Sequence, residues 1–214
     1  MAKLKVPAAP SVGRLPSYLH VIKEADLEGY EFISGTLIAE KLQLESIQVR
    51  KDLAMTGIAG IPKRGYCVKK LILAIESFLG WNKVKKAILI GAGNLGTALS
   101  GYHGFKEHGL EIIAAFDNES AKIGTSIHGV RVFSIKSIAE KIKTLKPSMA
   151  ILTMSSANAQ EVTDILIKSG IKSIWNFTKE KLTVPDDVVV RKEDLTSGYA
   201  ILCVMENIRK KRNK

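Results

Sequence analysis

Six residues, GAGNLG at Gly91–Gly96, leave few folds open to this chain. They follow the apolar run AILI (Ala87–Ile90) and open a helical pattern, so a buried strand must turn sharply into a helix at this point. Gly91 permits the tight turn, Gly93 lets a pyrophosphate approach the backbone, and Gly96 lets the helix lie close on the strand. The first helical N–H groups and the helix dipole then face an anion. The same glycines also suit a tight β-to-α turn that binds nothing.

The segments that follow alternate. A helix is expected through about His108, then a strand over Glu111–Phe116, a strand over Val130–Phe133, and a helix near Ser137–Thr144. Met149–Met154 reads as a strand, Ala159–Ser169 as a helix and Ser173–Asn176 as a strand. An edge strand is expected at Val188–Arg191 and a last helix over Thr196–Lys211. That order predicts a mostly parallel, doubly wound α/β sheet of the Rossmann type. Asp117 ends the second strand, 26 positions after Gly91, where its carboxylate accepts hydrogen bonds from an adenosine ribose and repels a 2′-phosphate. NAD(H) is thereby favoured over NADP(H). The candidate cofactor residues are Gly91, Ala92, Gly93, Asn94, Leu95, Gly96, Asp117, Asn118 and Lys122, with Thr153, Met154 and Asn176 at the ends of later strands.

The N-terminal third has a different pattern. Helices are expected over Leu15–Leu27, from an N-cap at Ser34 through Leu42, and over Ser46–Met55, with Gln43 and Leu44 as a turn. The spacing Ile38–Ala39, Leu42, Leu44, Val49, Leu53 has the form of a helix-turn-helix, whose second helix presents Ser46, Ile47, Gln48, Arg50 and Lys51 outward. The glycine-rich segment TGIAGIPKRGY reads as a wing with Lys63 and Arg64 at its tip, and a fourth helix runs from Val68 to a stop at Gly80. Between residues 50 and 70 six basic side chains face only Asp52, which points to a polyanion. Ser46, Gln48, Arg50, Lys51, Lys63 and Arg64 are the candidate DNA contacts, and a helical packing module with a solvated face is the alternative on these residues alone. Much of the net charge of +11 lies in the tail Arg209–Lys214, which has five basic residues and no acid.

No catalytic residue and no metal site is expected. The two cysteines, Cys67 and Cys203, stand outside any CxxC or Cys/His cluster and read as small buried hydrophobes. None of the four histidines has an obvious orienting carboxylate in sequence, no GxSxG, HExxH or Walker motif occurs, and about 130 residues leave little room for a substrate domain. The apolar stretches fall short of the roughly 18 residues of a membrane span, and the N-terminal sequence lacks a signal-peptide core. A cytoplasmic protein without membrane contact is expected.

In combination these segments resemble the Rex family of redox-sensing transcriptional repressors, from about residue 7 to residue 208. The specific pieces are RLPSYL, QVRKDL, KRGY, GAGNLGTAL with Tyr102 and Phe105 after it, AAFDNESAKIG, and GIKSIWNF followed by VP. The resemblance implies a homodimer with a winged-helix domain at 1–82, a Rossmann domain at 83–193 that binds NAD+ or NADH, and a C-terminal helix exchanged between subunits with a basic tail at 194–214. It implies that NADH releases an inverted-repeat operator while NAD+ is compatible with DNA binding. It also implies that Arg14, Tyr102 and Asp194 exchange polar contacts when the subunits rotate.

The chain departs from the family pattern in the wing, where Met55, Thr56, Ile58 and Ala59 replace the usual aromatic residues. It departs also at Glu45, where a Ser or Thr cap is usual and capping is expected to pass to Ser46, and at Ser120 and Lys179, where prolines are frequent. Two other functions share the Rossmann residues. One is a small NAD-dependent oxidoreductase or cofactor-binding subunit with an N-terminal protein-interaction module; the other is a regulator responding to a CoA or adenylate ligand.

Overall fold

Residues 8–212 are described by the structure, a computed structural model, and they divide into two units at Val84/Lys85. In the first unit α1 (Ala9–Leu27), α2 (Gly35–Leu42), α3 (Ser46–Ala54) and α4 (Val68–Leu79) surround one apolar core. Helix α1 begins six residues before the expected start at Leu15, because Pro10 occupies its first turn, where a missing N–H leaves no bond unmade. Its Leu15, Tyr18, Leu19 and Ile22 meet Ile38 and Ala39 of α2, Val49 and Leu53 of α3, and Leu71 and Ile75 of α4, all buried. Ala39 is the small residue at the α2–α3 crossing. Ser34 caps α2 by accepting from the Leu37 N–H at 3.0 Å, and Gln43 takes the left-handed turn at φ 54°. Helix α3 starts after Glu45 without any side-chain cap, so Ser46 does not take over that task.

A short strand absent from the sequence reading, β1 (Phe32–Ile33), pairs antiparallel with β2 (Tyr66–Cys67) and ties the wing to the helices. The wing closes on a bridge between Ile61 and Gly65, with Lys63 at φ 62° on its tip.

In the second unit seven strands form one sheet in the order β5-β6-β4-β3-β7-β8-β9. They are β3 (Lys85–Ile90), β4 (Leu110–Asp117), β5 (Ser126–Ile127), β6 (Val130–Ser134), β7 (Met149–Leu152), β8 (Ser173–Asn176) and β9 (Val189–Lys192). All pairs are parallel except β5–β6. The central strands are continuous buried runs, Ala87–Ile90, Ala114–Phe116 and Ala150–Leu152, as a sheet covered on both faces requires. Helices α7 (Ile138–Leu145) and α8 (Ala159–Lys168) pack Ile138, Ile142, Val162 and Leu166 on one face, and α5 (Asn94–Ser100) sets Leu99 against Leu89, Ala115 and Val132 on the other.

Three expectations need correction. The helix expected through His108 stops at Ser100 and resumes as the one-turn α6 (Gly104–Glu107). The break falls where the His128 ring lies on Gly101, so close that a Cβ there would stand 2.8 Å from three ring atoms. His128 itself turns the β5–β6 hairpin at φ 47°, followed by Gly129 at φ 82°. Cys67 and Cys203 are half-buried rather than buried. His20 has a carboxylate neighbour, Glu24 at 3.2 Å one helical turn on, in an exposed pair.

The last helix, α9 (Thr196–Arg212), leaves Tyr199 70% exposed and Ile201, Leu202, Val204, Met205 and Ile208 exposed as well. Asn213 and Lys214 of the basic tail lie outside the described residues. Among the described residues no helix is long and apolar enough to cross a membrane.

One position tests the packing directly. A Cβ on Gly96 would collide with the Gly91 carbonyl oxygen and press on Leu89. Gly96→Ala should therefore lower the stability of the second unit by about 2–3 kcal/mol, the cost of an overpacked site, read as a lower thermal midpoint. An unchanged midpoint would mean that the helix does not lie this close to the strand.

Candidate nucleotide-binding cleft and nucleic-acid interface

The sheet order reverses at β3, where α5 after β3 and α8 after the neighbouring β7 lie on opposite faces, and in a doubly wound sheet such a crevice outside the strand ends is the ligand site. A cleft of about 470 Å³ opens there. The structure brings seven of the twelve expected residues to its wall: Gly91, Gly93, Asp117, Asn118, Lys122, Thr153 and Met154. Gly91 lies at φ 101°, and a side chain there would meet the Met154 backbone at 2.8–2.9 Å. Gly93 has nothing within 4 Å of its missing Cβ, so its backbone faces open space that a phosphate can enter.

Asp117 is 8% exposed and has two partners inside the fold. Its Oδ2 accepts from the Ala92 N–H at 2.7 Å and its Oδ1 from the Glu119 N–H at 2.9 Å. The carboxylate thus holds the glycine loop as well as the strand end, and each oxygen keeps a lone pair for a ribose hydroxyl. Lys122 pairs with Glu119, and its Nζ stands 3.8 Å from Asp117 Oδ2; the hydrogen bond to Glu119 raises its pKa above the ordinary lysine value. Thr153 anchors the loop from the other side, its hydroxyl donating to the Gly91 carbonyl at 2.8 Å.

The remaining expected residues do not line the cleft. Ala92 spends its N–H on Asp117, and Asn94, Leu95 and the buried Gly96 belong to α5. Asn176 is 1% exposed and shapes the turn after β8, accepting from the Thr178 N–H and donating to the Glu180 carbonyl. The cleft gains residues the sequence reading did not name: Ile135 and Lys136 after β6, Ser155 after β7, and Asn158, Glu161, Val162 and Ile165 around the start of α8. Their signal was positional. They follow strand ends on the face where ligands bind, with Glu161 and Ile165 one helical turn apart.

In the first unit Arg50, Lys63 and Arg64 border a groove of about 510 Å³ between the wing and the start of α2, where the Arg50 stem passes over Gly35. Arg64 is stacked 4.0 Å over the Phe32 ring, with Glu31 at 4.0 Å. Lys51 is exposed and Ser46 half-buried; neither borders the groove. Gln48 is engaged inward, donating from Nε2 to Asp52 Oδ1 at 2.8 Å.

Asp52 is a buried hub. It also accepts from Arg14 Nε at 2.7 Å, Arg14 Nη2 at 3.1 Å and the Tyr18 hydroxyl at 2.7 Å. Burial pushes the Asp52 carboxyl up, but hydrogen bonds from Arg14, Tyr18 and Gln48 outweigh it and hold the pKa down at about 2. Burial and the carboxylate push the Tyr18 phenol up to about 12, and the bond to Asp52 raises Arg14. In the second unit Tyr102 is 60% exposed and meets Phe105 edge-on. Asp194 lies two residues before α9, its Oδ1 accepting from the Thr196 N–H at 2.9 Å, and its pKa is lowered by the hydrogen bonds from Thr196.

A helix-turn-helix unit with a wing, joined to a doubly wound unit with a nucleotide-type cleft, defines the class of ligand-responsive DNA-binding regulators. Family models agree with that division: "Putative DNA-binding protein N-terminus" matches residues 5–54 and "CoA binding domain" matches residues 82–180. The redox-sensing transcriptional repressor Rex of Treponema denticola is 64% identical over 98% of this chain and 100% of its own length. The crystal structure of RSP, a Rex-family repressor, in complex with β-NAD+ and operator DNA superposes with a TM-score of 0.87 at 30% identity, covering 98% of this chain and 97% of that one. RSP in complex with β-NADH gives 0.86 at 30% identity over 99% and 100%. The chain belongs to the Rex family of redox-sensing transcriptional repressors.

The Asp52 hub has a pH signature. Its folded pKa of about 2 lies below the free value of 3.8, so the stability it contributes is complete above about pH 4 and disappears as pH falls toward 2. Urea unfolding of the first unit should show the native protein losing stability relative to Asp52→Asn across that window. A parallel loss in both proteins would contradict the geometry.

Proposed function

We propose that this chain is a homodimeric repressor of the cytoplasm that reports the NADH/NAD+ ratio by binding an inverted-repeat operator and leaving it when NADH binds, without enzymatic turnover. In this reading residues 1–82 form the DNA-binding domain, 83–193 the NAD(H) domain, and 194–214 a helix exchanged between subunits with its basic tail. The observation that carries it is the Asp117 carboxylate beside the open backbone of Gly93, in one chain with the basic groove of Arg50, Lys63 and Arg64.

Asp117 and Glu119 favour a free ribose diol. A 2′-phosphate, as in NADP(H), or a 3′-phosphate, as in coenzyme A, would face both carboxylates, while Lys122 is already engaged by them. The two carboxylates thus favour NAD(H) over the ligand named by the family model of the second unit. When bound, the cofactor supplies a nicotinamide ring whose charge changes with oxidation. The chain's residues supply the rest: Asp117 orients the adenosine ribose, Gly91 and Gly93 admit the pyrophosphate, and Thr153 keeps the loop in place. The exposed apolar residues of α9 support its exchange between subunits, since a monomer would leave them in water. Arg14, Tyr102 and Asp194 are the proposed switch contacts, with Asp194 and Tyr102 exposed for that purpose.

On the DNA side Arg50, Lys51, Lys63 and Arg64 are the proposed phosphate and base contacts, with Ser46 at the start of α3. A two-fold dimer sets its recognition helices about 34 Å or a multiple apart, hence the inverted repeat.

Gel shifts on inverted-repeat DNA at fixed salt, across NADH/NAD+ ratios, test the reading; operator occupancy should fall as NADH rises. Occupancy indifferent to the ratio, or consumption of NADH with added carbonyl compounds, would overturn it. Two variants separate the sites. Arg50→Ala should weaken operator binding about tenfold or more and leave NADH affinity unchanged. Asp117→Ala should weaken NADH by about tenfold or more, through lost charged hydrogen bonds to the ribose and a loosened Ala92, with NADH-free operator binding retained. Equal losses in both assays from either variant would indicate a folding defect in place of a site.

A further inference from the structure

Gln48 is half-buried at the edge of the outer face of α3, and its amide is not free to turn. Asp52 follows one helical turn later and is 1% exposed. Its Oδ2 accepts from Arg14 Nε and the Tyr18 hydroxyl, and its Oδ1 from Arg14 Nη2 and Gln48 Nε2. Four donors fill the carboxylate, and Arg14 is steadied in turn by Ser11 Oγ at 3.1 Å. An ionised carboxylate only accepts. A Gln48 amide turned the other way would set its carbonyl oxygen against Asp52 and lose the 2.8 Å bond. Gln48 Oε1 has no hydrogen-bond partner among the described residues, and the side chain is half-buried at the helix surface.

We propose that Asp52 is a specificity-positioning residue for the operator: it holds the Gln48 amide with its carbonyl outward, so that Gln48 accepts from an exocyclic amino group of a base. Resting on the DNA-binding reading above, the inference narrows that reading to one polarity. In the major groove adenine N6 and cytosine N4 donate, whereas guanine O6 and N7, adenine N7 and thymine O4 accept. Gln48 therefore reads the amino-bearing bases. Asp52 makes no base contact of its own, because its four acceptor sites are used within the fold. The wing and Arg50 act at other positions.

Selection from a library of randomised inverted repeats, with the full chain and native nucleotide affinity verified, provides the test. The wild type should prefer adenine or cytosine at one position of each half-site, and Gln48→Ala should reduce that preference about tenfold, leaving the other positions as they are. In Asp52→Asn, an amide oxygen in the place of Oδ2 keeps Arg14 Nε and Tyr18, while the nitrogen in the place of Oδ1 gives up Arg14 Nη2 and donates to Gln48 Oε1. The glutamine amide inverts, so that same position should reject cytosine and admit guanine and thymine, with adenine still bound through N7. Where Asp52→Asn does not fold, base analogues decide with the wild type: removing the exocyclic amino group of the selected base should weaken binding about tenfold, and replacing a selected adenine by 7-deazaadenine should not.

A folded Asp52→Asn that still excludes guanine and thymine at that position, a Gln48→Ala that loses no preference, or a wild type indifferent to loss of the amino group would overturn the proposal while leaving the DNA-binding reading intact. A wild type that selects no sequence would overturn both.

Discussion

The contact between the start of α5 and the end of β3, where Gly96 packs against the Gly91 carbonyl with no room for a methyl group, sets the geometry of the second unit. Because the helix lies that close, the Ala92 N–H reaches Asp117 on the neighbouring strand, and Thr153 on the other neighbour reaches the Gly91 carbonyl. Three adjacent strands are thereby stitched together at their carboxyl ends, and the cleft is the space they leave. A larger residue at either glycine would displace the loop from both partners at once. The nucleotide site is therefore a consequence of backbone packing first and of side-chain chemistry second.

The first unit has a comparable centre in Asp52. A buried carboxylate is tolerated only when its lone pairs are used, and here α1 supplies Arg14 and Tyr18 while α3 supplies Gln48. The recognition helix is consequently joined to α1 by charge-assisted hydrogen bonds as well as by the apolar contacts of Val49 and Leu53. Whatever acts on Arg14 acts on the seat of that helix.

Much of this was legible from residue patterns. The periodicity placed α2, α3 and α4 within a residue or two, and the mostly parallel, doubly wound sheet followed from the βα alternation. The glycine loop and Asp117 were visible because each is a local signal: a backbone requirement or a charge at a strand end. What escaped depended on contacts between distant residues. The break at Gly101 is made by His128, which is 27 positions away and on another element. The strand β1 is two residues long and exists only through its pairing with β2. Asp52 read as the lone acid in a basic stretch, and nothing in its neighbours announced that Arg14 and Tyr18 would fold onto it. Asn176 looked like a cofactor residue because it ends a strand, but its amide is consumed by the following turn.

In the proposed function the two units must exchange free energy. NAD+ and NADH differ by a hydride and one positive charge, so operator occupancy moves only if the two forms bind two dimer arrangements with different affinity. A hundredfold change in operator affinity corresponds to a coupling of about 2.7 kcal/mol, within the range of a few exchanged polar contacts. Such coupling is reciprocal. The most direct measurement is the dissociation constant of NADH, read by its fluorescence, with and without saturating operator at one salt concentration. The account predicts that operator weakens NADH by the same factor by which NADH weakens operator; identical NADH affinity in both titrations would contradict it.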